Sequence, residues 1–476
     1  MRFPSLPLAA SLILALGAFA HAEDASSEAL RAVTHEDVWL MRRLGTPVPN
    51  PAGDRVIVSV MEPSYEEDGA VSDLWILPTD GSAPPRRLTG TPGAENDVVW
   101  SPDGTRIAFA AKRGDDEVDQ IYVLNMEGPG EAVRVTSLST GAARPVWSPD
   151  GERLAFESRV YPGAADDDAN AAEKERREEL GYNASSYDIF PIRQWDRWLD
   201  DLQTHLFVQD AEPGATARNL LAGTDLVTDI GYSGVPRLSG DQLHTQWTPA
   251  GDALVIAATR NRTEAARAQV YYHLYRVDAD GGEPEQLTNT EDWSCHTPRF
   301  SPDGGSLYCQ IAPVSEFVYN LTELGRFDWP RSGKAEDFDD SVELLTADFD
   351  RSVSDYALST DGRSAYFTAL DHGRTRLFAT AAKGADPVRA IDADSPGVYA
   401  GPKPAGGALV ARRDDATNPA DVVRVDPPRG GHEPPSPHNV ERAAELARQP
   451  SRQCSIDPDK GRRVHSWVTL PPNYSE

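Results

Sequence analysis

Cysteine is nearly absent from this chain of 476 residues: Cys295, Cys309 and Cys454 are the only three, and they show no metal-ligand spacing. A disulfide framework is therefore excluded as the organising principle. Cys295 and Cys309 flank one expected hairpin, in which Cys309 should face residues 296–298 and leave Cys295 beyond easy bridging reach. Lysine is scarce too, at six residues, and 46 Lys and Arg stand against 75 Asp and Glu, for a formal net charge of −29. Phosphate binding needs a basic face, so that balance argues against a nucleic-acid partner. Long apolar runs are missing apart from Leu6–Ala20. With Arg2 before that run and Ala20-His21-Ala22 after it, residues 1–22 have the build of a signal peptide. The run is short for a membrane span and contains Pro7 and Gly17, which argues against an anchor. The mature protein is expected to be periplasmic or secreted, with no membrane association after cleavage.

What is present in quantity is one turn, used again and again. Trp100-Ser-Pro-Asp-Gly104 returns unchanged at Trp147–Gly151 and in degenerate form at Trp247–Gly251, Phe300–Gly304 and Leu358–Gly362. Weaker copies at Asn50–Gly53 and Lys403–Gly406 bracket them. Pro pre-sets φ at the first central position, Asp caps the turn, and Gly takes the left-handed conformation that closes it. A strand-like run follows each turn, and a second strand follows that: Leu74–Leu77, Ile121–Leu124, Leu206–Val208, Leu274–Val277, Phe317–Tyr319, Leu377–Ala379 and Val422–Val425. Seven turns are matched by seven second strands. The gap of 100 residues between Gly151 and Gly251 therefore holds an insertion at about 160–203 rather than an eighth unit. Units of roughly 40–50 residues with four strands are propeller blades. The expected fold is all-β, a seven-bladed β-propeller over 49–433.

Three segments lie outside the ring. An N-terminal arm spans 23–48, where Thr34 and Asp37 mark a helix start and Val38, Leu40, Met41 and Leu44 give it an apolar face. The insertion opens with a charged, helix-compatible stretch, Asp166–Glu179, expected to be an exposed helix or a mobile loop that proteases cut first. Its second half, Tyr187–Trp198, is rich in aromatics and Arg, which is contact chemistry for a ligand or partner; the preferred reading is that Trp195 and Trp198 anchor the excursion to the ring. After the last blade, 434–476 supplies a linker, a short helix at Val440–Arg448, and a strand, Val464–Val468, running into Leu470-Pro-Pro-Asn-Tyr474.

The arm from Thr34 to Pro47, the Ser-Pro-Asp-Gly hairpins and the Pro-Pro-Asn-Tyr exit together resemble the prolyl oligopeptidase family of serine peptidases. Within it, the match is to exported dipeptidyl-aminopeptidase and acylaminoacyl-peptidase-like members. The hairpins alone also occur in other exported propellers, so the arm and the exit carry the resemblance. It implies that 434–476 leads into a C-terminal α/β-hydrolase domain bearing a Ser-Asp-His triad, with peptides as substrates of the full-length enzyme.

No residue here takes a triad role. Gly231-Tyr-Ser-Gly-Val235 is the nearest approach to a nucleophile elbow, but its fifth position is Val and it lies between blade strands, so Ser233 is not assigned as catalytic. The resemblance also raises an amine clamp at Glu178-Glu179, which the flanking Leu180-Gly-Tyr182 does not support. No catalytic or metal-binding residue and no cofactor motif is identified, and substrate-binding residues are not placed. The function expected is the gating and substrate-admitting part of an exported serine peptidase. The alternative is a non-catalytic periplasmic propeller acting as a binding or scaffold module.

Overall fold

The structure is a computed structural model. It describes residues 30–476 except 67–69, 183, 185–192, 195, 196, 199, 238, 239, 265–267, 289–291, 316–318, 331–340, 385, 393–396, 428–431, 434, 435, 459, 460, 473, 475 and 476. The expected signal segment, Trp195 and Phe317 lie outside the described residues.

Seven antiparallel sheets of four successive strands form the seven blades of a propeller. Blade 2 shows the unit: inner strand Glu95–Trp100, then Arg106–Ala111, Gln120–Asn125 and a short outer strand Val133–Arg134. The inner strands of the remaining blades begin at Arg43, Ala143, Gln246, Trp293, Val353 and Val398. In blade 1 the inner strand is split into Arg43–Leu44 and Val48–Pro49, both paired with Arg55–Pro63. Every blade is contiguous in sequence, so among the described residues no strand is exchanged between the first and the last.

The turn sequence is explained by contacts between blades as much as by its own geometry. Gly104 and Gly151 have φ of 72° and 73°, and Ser101 and Ser148 each bond the Asp of their own turn. The turn proline of one blade lies over the turn glycine of the next: Pro102 over Gly151, Pro149 over Gly251, Pro302 over Gly362. Arg106 stacks on Trp147 at 4.6 Å and donates to the Gly151 carbonyl at 2.6 Å. Arg153 repeats this on Trp247 and Gly251, at 4.8 and 2.7 Å. Trp100 and Trp247 donate to the inner-strand carbonyls of Val48 and Val146 in the blade before. The repeat is thus a set of staples around one face of the ring.

The seam between blades 7 and 1 is closed by packing and by the termini. Leu44, Val56, Val58 and Leu77 share an apolar cluster with Ala405, Val410 and Val422. Thr34 caps the helix His35–Leu40 with a reciprocal bond to Asp37, and Arg31 pairs with Asp37 at 2.6 Å. Behind it, the Arg31 N–H bonds the Glu445 carbonyl, and the Ala447 N–H bonds the Arg31 carbonyl. The helix after the last blade is Val440–Ala444, shorter than the Val440–Arg448 expected.

Two expectations are corrected. The second strand of blade 5 is Glu323–Asp328, not the run at Phe317–Tyr319. Gly325 and Arg326 break its apolar pattern: a Cβ on Gly325 would meet Ile311 at 3.0 Å, and Arg326 is buried on Glu343 and Asp328. Cys295 is not out of reach of Cys309; both are fully buried and not joined in a disulfide, with their sulfurs 2.9 Å apart. A register shift between His296 and Arg299 accounts for it, because the bulge turns the inner strand relative to its partner.

Candidate functional site at the channel mouth

The Ser-Pro-Asp-Gly turns touch one another in series, so they define one face of the ring. The opposite face carries the starts of the inner strands and the loops joining second to third strands. The insertion springs from that face, since Val160 pairs with Gln203 at its base. The arm is there too, with Arg42 paired to Glu62 at 2.7 Å. So is the exit hairpin Arg452–Ile456 and Val464–Val468, whose Trp467 donates to the His372 carbonyl at 2.7 Å while His465 stacks 3.8 Å from His372. Sequence reasoning found the second strand of that hairpin and missed the first.

At this face the inner strands share a device that the sequence pattern hides. Asp97, Arg144, His244 and Thr297 all have φ between 51° and 57°, at the same place in blades 2 to 5. Left-handed non-glycine residues are uncommon. Asp97, Arg144 and Thr297 each sit in the bulge where the inner strand shifts register, and His244 stands two residues before the short inner strand of blade 4. Together with Glu157 they line a cavity of about 250 Å³ that opens at the channel mouth and reaches down to Val99, Val146, Gln246 and Arg299.

The mouth is polar and mostly paired. Glu157, 2% exposed, accepts the Leu243 N–H at 2.9 Å, with Arg144 Nη1 at 3.3 Å from its other oxygen. Burial pushes its carboxyl up to about 7, with Arg144 opposing. Arg262 pairs with Asp241 at 3.1 Å. His244 and His296 stand 6.0 Å apart, linked through the Thr297 hydroxyl at 3.3 and 2.9 Å. Burial pushes them down to about 3 and 4, so both imidazoles are neutral near pH 7.

Ser233 is buried, its hydroxyl donating to Asp241 and to the Gly234 carbonyl, with Arg262 at 3.2 Å. It forms a bridge with Thr259 rather than opening a helix, and no imidazole is among these partners. That arrangement holds a hydroxyl in place and does not activate it. Glu178 and Glu179 end the insertion helix Asp167–Glu178 and are exposed, without an ion pair among the described residues. The helix is no loose loop: Asn170 is buried and Arg177 bonds Asp201 at 2.8 Å. Arg193–Gln194 pairs with Arg197–Trp198 as a small hairpin further along. Among the described residues no group of three His, Cys, Asp or Glu is placed to hold a metal ion.

No protein-family model matches the chain. Dipeptidyl-peptidase 5 of Porphyromonas gingivalis is 23% identical across 98% of the chain and 64% of its own length. Dipeptidyl-peptidase 5 of Trichophyton equinum is 23% identical over 75% of the chain and 49% of itself. The resemblance is to prolyl oligopeptidase-family serine peptidases. Among solved structures, an acylaminoacyl peptidase bound to Z-Gly-Gly-Phe-chloromethyl ketone superposes with a TM-score of 0.63 at 18% identity, over 92% of the chain and 59% of that protein. The β-propeller domain of the trilobed protease of Pyrococcus furiosus, described as having an open velcro topology, gives 0.54 at 14% identity, over 84% of the chain and 99% of that domain. At those identities the structures show the fold, and the unexchanged blades found here agree with that topology. The chain spans from about half to just under two thirds of the length of the curated relatives it matches.

Proposed function

We propose that this chain is the propeller part of an exported serine peptidase that hydrolyses short peptides. In this reading the ring covers a catalytic α/β-hydrolase domain and admits substrate to it. The observation that carries the proposal is the end-to-end match of the chain to part of dipeptidyl-peptidase 5, taken together with the gathering of arm, insertion and exit hairpin around the channel mouth. The same face leaves Val38, Ile456, Val464 and Val468 between 43% and 65% exposed. Apolar side chains grouped in that way suit a partner domain better than solvent.

The ring would contribute size exclusion and orientation. Holding a substrate in register with a nucleophile lowers the barrier without any chemistry from the ring itself. Acyl transfer through Ser, His and Asp would belong to the partner domain. The test is labelling of the native protein with a serine-directed fluorophosphonate, followed by peptide mapping and N-terminal sequencing. The expected result is a mature start at Glu23 and a labelled Ser outside residues 23–476. An unlabelled native protein would favour the binding or scaffold module, and label on Ser233 would overturn the division of labour.

A further inference from the structure

Two residues beyond each bulge, the inner strands place a second ring of side chains deeper in the channel. Matching the inner-strand registers puts Val48, Val99, Val146 and Gln246 there in blades 1 to 4, and Ala357 in blade 6. Blades 5 and 7 contribute Arg299, opposite Tyr308, and Lys403, opposite Val410. The ring is therefore neutral except for two cations, which flank its smallest member, Ala357. This happens in a chain with only six lysines and a net charge of −29.

The two cations differ from those at the mouth in having no acid bonded to them. Arg144 and Arg262 have Glu157 and Asp241. Arg299 instead lies over the Tyr356 ring, 5.4 Å from its centre, and its Nε is buried without a hydrogen-bond partner among the described residues. Tyr356 is itself pinned, its phenol donating to the Thr297 carbonyl at 2.7 Å, so the guanidinium rests on a fixed platform. Lys403 is half-buried and makes no hydrogen bond or ion pair among the described residues. Arg299 lowers its pKa, burial adds to that, and Asp355 opposes, leaving it at about 8. Placing like charges together inside a channel costs stability. An anion between them would remove that cost, and a guanidinium fork with an ammonium is good carboxylate chemistry.

We propose that Arg299 and Lys403 form a carboxylate-binding site inside the channel, which takes a short peptide carboxylate first. The layer above supplies a complement: Asp97 lines the cavity and Asp355 lies two residues before Ala357, and with no ion pair to either among the described residues they favour an ammonium and disfavour a multiply charged anion. The layers are two strand residues apart, roughly 6–7 Å. A peptide of two or three residues spans about that between its charged ends. The choice of a peptide ligand rests on the proposed function; the anion site itself does not.

The test is calorimetric titration of the full chain at low salt, with triglycine, triglycine amide and Gly-Glu-Gly amide as probes. Triglycine should bind, and its amide at least tenfold more weakly. Gly-Glu-Gly amide matching triglycine would assign the site to acidic side chains; matching triglycine amide would assign it to the free C-terminus. Lys403→Met and Arg299→Met should each lose about tenfold, while Lys403→Arg retains binding within a few-fold. Melting curves identify any variant that has failed to fold, and Lys403→Arg against wild type then carries the comparison. Equal affinity for triglycine and its amide, no binding of either, or a folded Lys403→Met that binds like wild type would overturn the proposal. None of these readouts needs peptidase activity, so a failure here and a failure of the fluorophosphonate test are distinguishable.

Discussion

Asn439 holds the backbone of Arg42 with both ends of its carboxamide: Oδ1 accepts the Arg42 N–H at 3.0 Å, and Nδ2 donates to the Arg42 carbonyl at 3.0 Å. The two residues are 397 positions apart, on opposite sides of the seam. With no exchanged strand, this pair does locally what a shared blade would do for the whole ring. Asn439 is 3% exposed, so truncation to Ala leaves two backbone groups without a partner. Asn439→Ala should cost about 2 kcal/mol in urea unfolding. Hydrogen exchange of the Ala447 amide should speed up while blade 4 amides keep their protection. A loss spread evenly over all seven blades would show that Asn439 is not a seam contact.

The channel mouth should give a distinctive pH signature. Glu157 has a folded pKa of about 7 against an ordinary 4.5, so the folded chain binds this proton more tightly than the unfolded chain. Its contribution is greatest below about pH 4.5 and is lost as pH rises through 7. His205, His244 and His296 act in the opposite sense, since pKa values of about 4, 3 and 4 against 6.5 remove stability as pH falls. Comparing wild type with Glu157→Gln cancels the histidines, which both proteins share. Urea midpoints should show the variant gaining on wild type between pH 4.5 and 7.5. A difference that stays constant across that range would mean Glu157 is ionised throughout.

The fold was legible because its turns are chemical signatures: a left-handed Gly after Pro and Asp can be recognised wherever it recurs. The channel was not legible in the same way. Its residues follow bulges, and a bulge inserts one position into an alternating strand, so inward and outward positions exchange without any change in composition. Nothing in the sequence around Arg299 or Lys403 says that both face the axis two residues past a bulge. The same shift brings Cys295 to Cys309 against the simple hairpin count. Blade 5 misled for a related reason. Phe317–Tyr319 is the more strand-like run, yet Arg326, unfavourable by composition, is satisfied once Glu343 and Asp328 are placed beside it.

Composition pointed to the insertion helix but not to what holds it. It has few apolar residues, which suggested free opening, but Asn170 anchors it through polar bonds. Its Oδ1 accepts the Tyr161 N–H at 2.8 Å, and its Nδ2 donates to Thr140 Oγ1 at 3.0 Å and to the Arg159 carbonyl at 3.2 Å. Ser139 adds bonds from its N–H and its hydroxyl to Asp167, at the start of the helix. Limited proteolysis of wild type should therefore spare 164–179 at first. Asn170→Ala should make cuts there several-fold faster with little change in the global urea midpoint, because local opening is a separate event from unfolding. Wild type cut first within 164–179 would restore the reading from composition.

Two turn glycines with nearly the same backbone should respond differently to the same substitution. Gly53 and Gly104 have φ of 74° and 72°, so alanine at either pays the cost of the left-handed region, roughly 1–2 kcal/mol. At Gly104 the new methyl would find only the Pro51 ring, with Cδ at 3.4 Å and Cγ at 3.9 Å, ordinary contacts, and the penalty should end there. At Gly53 it would meet the Gly406 nitrogen at 2.1 Å and the Ala405 carbonyl carbon at 2.6 Å. Those are backbone atoms of blade 7, which cannot swing aside as a side chain can. Relief requires the first and last turns to separate, and that strains the apolar cluster of Val56, Val58 and Val410 behind them. Gly53→Ala should accordingly lower the urea midpoint well beyond Gly104→Ala, and should add to Asn439→Ala less than independently, since both loosen one seam. Equal losses at the two glycines, or full additivity with Asn439→Ala, would show that the first and last blades are joined more flexibly than this packing implies.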